Sequence, residues 1–265
     1  MSAVSEPTIR VSKDGRGVAT VMLNRPALHN AFDDALIQRL IETFEMLGAD
    51  AGCRVVVLAG AGKSFSAGGD LNWMRRMASY SYAENVADAA ELGRLMSTLD
   101  RLPKPTVARI HGSVFAGGLG LVACCDIAVA EQDTIFCVSE TRLGLVPAVI
   151  SPYLIRAVGA RVARRYFLTA ERFSAAEAHR IGLVHEVASA ASLDARVDAI
   201  VAALLEGGSL SQARSKHLVS EVAHRPIEQP VIDLTARAIA EARSSEEARE
   251  GLAAFFEKRK PKWRG

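Results

Sequence analysis

The sequence lacks the features that mark secreted, membrane-spanning or nucleic-acid-binding proteins. Its 265 residues include only four cysteines, and none has the CxxC spacing of a zinc or redox site. No stretch approaches the ~18 apolar residues of a membrane span, and 32 Lys and Arg against 30 Asp and Glu leave a net charge of only +2. The first seven residues (MSAVSEP) lack the basic and apolar regions of a signal peptide. We therefore expect a cytoplasmic protein with reduced, buried cysteines and with no nucleic-acid or membrane partner.

An alternation of strand and helix signals is followed by a helical region. Runs rich in β-branched residues predict strands, and one of them is continuous enough to be buried on both faces. Asp33 is placed to cap a helix whose apolar residues recur at helical spacing. After about Gly159 the strand signals nearly vanish and Ala-rich helical periods dominate. The pattern predicts an α/β core followed by a helical C-terminal region. The predicted strands cover residues 18–23, 54–59, 106–110 and 127–130.

Two glycine-rich segments follow predicted strands, at residues 60–71 (GAGKSFSAGGDL) and 111–120 (HGSVFAGGLG). The first is not a phosphate loop, because G-x-x-x-x-G-K-[ST] requires a glycine where this chain has Val57. Bare backbone lets peptide N–H groups point at a ligand, and one donor from each loop could form an oxyanion hole around a carbonyl oxygen. Tight turns and close-packed helix starts are the alternative, which spacing alone favours.

Glu140 is a candidate acid or base, because it follows an apolar, strand-like run and precedes a turn. A carboxyl group at such a place can project into an apolar site with a raised pKa. A surface ion pair with Arg142 is the simpler alternative. No G-x-S-x-G nucleophile elbow surrounds Ser66 or Ser113, and the six histidines show no metal-ligand spacing. The sequence thus indicates neither a serine nucleophile nor a metal site.

Taken together, these segments resemble the crotonase, or enoyl-CoA hydratase/isomerase, superfamily, and the resemblance runs nearly end to end. It implies a ββα spiral core that holds the acyl-CoA site in residues 1–200, and a C-terminal helical trimerisation region in residues 201–265. The segments that carry it are residues 23–31 (LNRPALHNA), 65–71 (FSAGGDL), 112–126, which end in Cys-Asp, 140–147 (ETRLGLVP), and 175–184, which end in GLV.

The resemblance also implies roles for individual residues. The N–H groups of Ala67 and Gly117 would form the oxyanion hole, and Glu140 would be the catalytic carboxylate. Gly120 stands where two-glutamate hydratases carry their second glutamate. No metal or organic cofactor is implied, since coenzyme A enters as part of the substrate, and a homotrimer or dimer of trimers is expected. The implied substrate- and CoA-binding residues are Arg25, His29, Ala31, Ser66, Gly68, Asp70, Leu71, Gly118, Phe255 and Lys258.

The missing second glutamate leaves the reaction open. Isomerases of this superfamily move a proton between α- and γ-carbons with one glutamate at the position of Glu140. However, residues 72–74 (NWM), 124–126 (CCD), 148–152 (AVISP) and 257–263 (EKRKPKW) resemble bacterial methylglutaconyl-CoA-type hydratases of leucine and branched-terpenoid breakdown. Some of those also carry glycine in place of the second glutamate. We expect hydration of a branched 2-enoyl-CoA, with a Δ3-Δ2 enoyl-CoA isomerase, a thioesterase or a decarboxylase as alternatives.

Overall fold

The computed structural model describes residues 7–264, so most of the MSAVSEP segment lies outside the described residues. The described part contains ten strands and eleven α-helices. The strands are β1 Ile9–Lys13, β2 Val18–Leu23, β3 Val55–Gly60, β4 Ser64–Ser66, β5 Thr106–Ile110, β6 Ser113–Phe115, β7 Ile127–Glu131, β8 Ile135–Cys137, β9 Phe173–Ser174 and β10 Glu186–Ala188. The helices are α1 Asp34–Ala49, α2 Leu71–Met77, α3 Tyr82–Asp100, α4 Gly117–Cys124, α5 Ser151–Val158, α6 Ala160–Thr169, α7 Ala175–Arg180, α8 Leu193–Leu205, α9 Ser209–Val222, α10 Gln229–Arg243 and α11 Glu246–Phe256.

The strands form two separate sheets. The larger has the order β1-β2-β3-β5-β7-β10, and all its neighbours are parallel except β1 and β2. The smaller has the order β4-β6-β8-β9, in which β4, β6 and β8 are parallel. The chain thus adds strands to the two sheets alternately: β3 is followed by β4, β5 by β6, and β7 by β8. Helices α2 and α3 connect β4 to β5, and α4 connects β6 to β7. This is the expected ββα spiral.

The predicted strand at residues 54–59 is central and covered on both faces, as its β-branched run indicates. Val56 and Leu58 point into the main hydrophobic core, where α1 and α3 also bury their apolar residues. Val55 and Val57 face the opposite way and pack with Val197 and other residues of α8. Because successive side chains of a strand alternate, one strand supplies both cores.

Helix α1 begins where the sequence predicts it. The Asp33 side chain accepts a hydrogen bond from the Leu36 N–H at 2.8 Å, which confirms it as the N-cap. The interpretation that strands nearly vanish after Gly159 overlooks β9 and β10, which have only two and three residues. Strands this short show no measurable alternation, and only pairing with β8 and β7 defines them.

Helix α8 crosses the predicted domain boundary between residues 200 and 201. Residues 200 and 201 therefore belong to one helix that packs on the main sheet, and the division into a core and a C-terminal helical region of residues 201–265 stays a prediction. Arg54, at the start of β3, binds that region by donating to the carbonyls of Gly207 at 2.7 Å and Trp263 at 3.0 Å. Lys216 of α9 pairs with Asp126 at 2.8 Å. Trimerisation through this region stays a prediction.

The four cysteines are buried and unpaired in disulfides, as expected from their spacing. Burial raises the pKa of the Cys125 thiol to about 12, so this thiol stays protonated and unreactive at neutral pH. Across residues 7–264, no helix is long and apolar enough to cross a membrane. The same residues contain no cluster of three or more His, Cys, Asp or Glu side chains suited to a metal ion.

Candidate active site

Three adjacent parallel strands end at one place in the smaller sheet. The glycine loop of residues 67–70 follows β4, helix α4 begins just after β6, and Glu140 is the third residue after β8. Because β4, β6 and β8 are parallel neighbours, their carboxyl ends lie at the same edge. Ligands of open parallel sheets bind at such edges. The topology therefore brings together the two glycine-rich loops and the carboxylate that the sequence singles out.

The first loop does not present the N–H group that the resemblance implies. The Ala67 N–H donates to the His29 carbonyl at 2.9 Å, so it is already engaged. Phe32 pairs with the next stretch: its N–H donates to the Gly68 carbonyl and its carbonyl accepts from the Asp70 N–H, both at 2.7 Å. In a parallel bridge of this kind, the N–H of the residue in between points away from the partner strand. Gly69 is that residue, and the structure offers its N–H in place of that of Ala67.

The second loop presents its donor at the start of α4. Gly117 is the first residue of this helix, so its N–H has no partner within the helix. Ala116 precedes it with φ 47° and ψ −120°, a conformation that costs a residue with a side chain roughly 1–3 kcal/mol. The Ala116 N–H donates to the Cys137 carbonyl at 3.0 Å, which ties the turn to β8. Backbone strain of this kind concentrates at functional sites.

Close packing of the two loops explains several of their glycines. A Cβ atom on Gly68 would lie 3.0 Å from the Cβ of Ala116, and one on Gly118 would lie 3.0 Å from the Ser66 carbonyl oxygen. A Cβ on Gly117 would lie 2.8 Å from the Phe32 ring. The structure therefore supports the packing explanation for these glycines, whereas the ligand explanation stays a prediction.

Glu140 opens a short 3-10 helix, Glu140–Leu143, and its side chain is largely enclosed. Its Oε2 atom is buried and has no hydrogen-bond partner among the described residues. Burial raises the pKa of Glu140, and the backbone N–H groups of Glu140 and Ser139 only partly oppose this rise. No ion pair joins Glu140 to Arg142 in the part of the chain that the structure describes, so the simpler explanation does not hold. A largely enclosed carboxyl group with a raised pKa and no ion-pair partner is suited to proton transfer.

The position of Gly120 is closed by hydrocarbon. A Cβ atom there would lie 2.4 Å from Cγ2 of Ile150 and 3.0 Å from Cε and Sδ of Met96. Ile150 is only 2% exposed and precedes α5. Gly120 has no side chain that could carry a second carboxylate, and Ile150 and Met96 leave no space for a larger residue at this position. Asp70, the other acidic residue at these strand ends, is paired with Arg25, whereas Glu140 has a buried oxygen without a hydrogen-bond partner among the described residues.

Arg25 and Asp70, expected to bind the substrate or CoA, are bound to each other. The Arg25 guanidinium donates to Asp70 at 3.1 Å and to the Ala31 carbonyl at 2.7 Å, and it pairs with Asp33 at 2.9 Å. Asp70 also caps α2 by accepting from the Asn72 N–H at 2.8 Å. Although burial by itself raises the pKa of Asp70, the N–H donors and Arg25 lower it below its usual range. The charges of Arg25 and Asp70 are therefore engaged within the chain and not directed at a phosphate group of coenzyme A.

The other expected binding residues form three pairs. Buried Ser66 supports the turn by donating to the Asn30 carbonyl at 3.0 Å, and Ala31 is buried beside it. His29 is exposed and its Nδ1 lies 3.0 Å from the Ser64 hydroxyl, whereas Leu71 is 70% exposed at the start of α2. The third pair lies elsewhere.

Phe255 and Lys258 lie at the end of α11 and are exposed. The Phe255 ring contacts Phe256, with 5.7 Å between the ring centroids. Within the described part of one chain, no hydrogen bond or ion pair joins Phe255 or Lys258 to the two loops. Their expected contact with coenzyme A in a neighbouring subunit stays a prediction.

Comparison with known proteins agrees with this geometry. The enoyl-CoA hydratase/isomerase family model matches residues 13–265. The crystal structure of an enoyl-CoA hydratase from Shewanella pealeana superposes with a TM-score of 0.94 at 46% identity, covering 97% of this chain and 96% of the other. That of an enoyl-CoA hydratase from Mycobacterium smegmatis gives a TM-score of 0.92 at 36% identity, with 98% and 100% covered. A crotonyl-CoA hydratase from Syntrophomonas wolfei is 29% identical, with 92% and 93% covered. The chain therefore belongs to the enoyl-CoA hydratase/isomerase family of the crotonase superfamily.

Proposed function

We propose that this protein adds water across the double bond of a 2-enoyl-CoA thioester. The observation that carries the proposal is that Glu140, whose Oε2 atom is buried without a hydrogen-bond partner, lies at the same edge of the smaller sheet as two backbone N–H groups that have no acceptor among the described residues. Such N–H donors stabilise a thioester oxygen as it gains negative charge. Gly69 and Gly117 are the donors in this proposal, and Gly69 replaces Ala67.

The reaction balances with one carboxylate. The ionised Glu140 accepts a proton from water as the water oxygen forms a bond to the β-carbon. The electrons of the double bond move to the thioester oxygen, which becomes an enolate oxygen held by the two N–H groups. The protonated Glu140 then delivers its proton to the α-carbon and the thioester carbonyl reforms. A raised pKa suits both halves of this cycle, because one group must accept and then release the proton.

We also propose a branched, methylglutaconyl-CoA-like acyl group. The apolar wall formed by Ile150 and Met96 supports this, because it fills the place beside Gly120 where a second acidic side chain would lie. A second carboxylate there would repel a substrate that carries its own carboxylate. The same wall favours one second candidate, a Δ3-Δ2 enoyl-CoA isomerase, because double-bond migration requires one proton carrier and no bound water.

A panel of thioesters in H₂¹⁸O separates the two reactions. We expect 2-enoyl-CoAs to lose their conjugated absorbance and to give products that carry ¹⁸O, most rapidly with branched acidic acyl groups. Rapid conversion of 3-enoyl-CoA to 2-enoyl-CoA without ¹⁸O uptake would instead make the protein an isomerase. Full activity after treatment with a chelator is the accompanying test that no metal is needed.

Exposed apolar side chains support a proposed homotrimer or dimer of trimers. Val146 follows the Glu140 turn and is 71% exposed, while Leu168 is 72% exposed on α6. Ile227 and Phe255 are 87% and 76% exposed in the C-terminal helical region. Exposed apolar side chains become buried when they lie in a subunit interface, and this is the place that we propose for them. Light scattering coupled to size-exclusion chromatography measures the mass directly, and a monomer at micromolar concentration would contradict the proposal.

A further inference from the structure

The Arg25 side chain joins two segments that do not follow one another in the chain. One is residues 31–33, which lead into α1, and the other is residues 68–70, which lead into α2. The guanidinium reaches the Ala31 carbonyl at 2.7 Å on the first segment and the Asp70 carboxylate at 3.1 Å on the second. It also pairs with Asp33 at 2.9 Å, so both carboxylates share one guanidinium nitrogen.

These two segments are the ones that aim the Gly69 N–H. Phe32 lies between Ala31 and Asp33, and its two backbone hydrogen bonds hold Gly68 and Asp70 on either side of Gly69. Arg25 thus fastens both segments at the level of the Phe32–Gly69 bridge. If the two segments slid apart, the Gly69 N–H would turn with them.

The charges make this connection specific to arginine. The side chains of Arg25 and Asp70 are only 14% and 8% exposed, and that of Asp33 is 21% exposed. Two enclosed carboxylates would repel each other without the cation between them. Only a planar guanidinium offers separate N–H groups in fixed directions to three acceptors, whereas a lysine ammonium is a point charge on a flexible stem.

We propose that Arg25 is a positioning residue that holds the oxyanion-binding N–H of Gly69 in place, and that it is not a ligand for the phosphates of coenzyme A. This role rests on the proposed function of Gly69. Under this proposal, Arg25, Asp33 and Asp70 affect the rate of the chemical step and do not take part in binding the coenzyme.

The test uses two four-carbon probes, acetoacetyl-CoA, whose enolate form places charge on the oxygen, and butyryl-CoA, which cannot conjugate. Removal of one oxyanion donor costs about 10²–10³ in rate. For Arg25→Met, in which the donor is displaced and not deleted, we expect about 10–100-fold weaker binding of acetoacetyl-CoA. Butyryl-CoA should stay within about threefold, and kcat should fall without a matching change in KM. Arg25→Lys should show the same selective loss to a smaller degree.

Arg76→Met is the matched control, because Arg76 of α2 pairs with Asp34 of α1 at 2.8 Å and so joins the same two helices on an exposed side. It should leave the affinities for both probes unchanged. Equal, salt-sensitive losses for both probes in the Arg25 variants would make Arg25 a phosphate ligand and overturn the proposal. An unchanged preference for acetoacetyl-CoA over butyryl-CoA in a folded Arg25→Met protein would also overturn the proposal. If Arg25→Met does not fold, the same comparison is made with Arg25→Lys. An unmutated protein that does not favour acetoacetyl-CoA would instead contradict the proposed function itself.

Discussion

Replacing Gly120 with alanine places a methyl group where Ile150 already lies. Carbon atoms in contact normally stay about 3.5–4.0 Å apart, whereas the new Cβ would be 2.4 Å from Cγ2 of Ile150. Met96 can move away because its thioether chain is flexible, but Ile150 is buried and stiff at its β-branch. We therefore expect Gly120→Ala to lower the free energy of unfolding by about 1–3 kcal/mol, the usual cost of overpacking.

Two substitutions of Ile150 test whether this one methyl group is the cause. Ile150→Leu removes the branch at Cβ and keeps the volume, whereas Ile150→Val keeps both γ-carbons and removes only the terminal methyl. In urea denaturation, the Leu background should reduce the cost of Gly120→Ala by about 1 kcal/mol or more, and the Val background should leave it unchanged. Equal coupling in both backgrounds, or a cost below about 0.5 kcal/mol for Gly120→Ala alone, would refute the reasoning.

Four further outcomes are expected. Glu140→Gln should lower kcat by about 10²–10⁴-fold while acyl-CoA binding survives, and the unmutated enzyme should lose activity as pH falls through an apparent pKa above the usual value for glutamate, because the carboxylate must be ionised to accept the proton from water. In a crystal structure with an enolate-mimicking CoA analogue, the thioester-derived oxygen should lie about 2.7–3.1 Å from the N atoms of Gly69 and Gly117; contact with the Ala67 N atom instead would contradict our assignment. Lys258→Ala should raise KM for CoA esters more at low salt than at high salt, since exposed charges are screened; an unchanged KM at low ionic strength would leave Lys258 as an ordinary helix-end charge.

The fold could be predicted well where the sequence signal is long. The β-branched run at residues 54–59 predicts a central strand, and Asp33 predicts the start of α1, because both follow from local chemistry. The three-residue strands β4 and β6 lie inside glycine-rich segments, where a run this short is indistinguishable from a loop. Their pairing is set by distant parts of the chain, so it could not be predicted from local sequence.

The site could be predicted to the level of segments but not of single atoms. The sequence points to the loop around residues 65–71 and assigns the donor to Ala67, whereas our proposal from the structure assigns it to Gly69. Which N–H is available depends on the bridge to Phe32, a contact between residues 37 positions apart. The mutual pairing of Arg25 and Asp70 is likewise a property of the folded chain. The one available signal was that two opposite charges occur in two motifs that meet at one site.

Through a hydrogen bond to Arg54, Trp263 helps to hold the start of β3 in the main sheet. The Arg54 guanidinium uses the carbonyls of Leu205, Gly207 and Trp263, and its Nε atom is already buried without a partner. Cutting the chain before Trp263 would remove one acceptor and the indole that binds the Glu206 carbonyl at 3.0 Å. A truncation or a bulky fusion at this end would therefore change the start of β3, the strand that leads into the glycine-rich segment of residues 60–71.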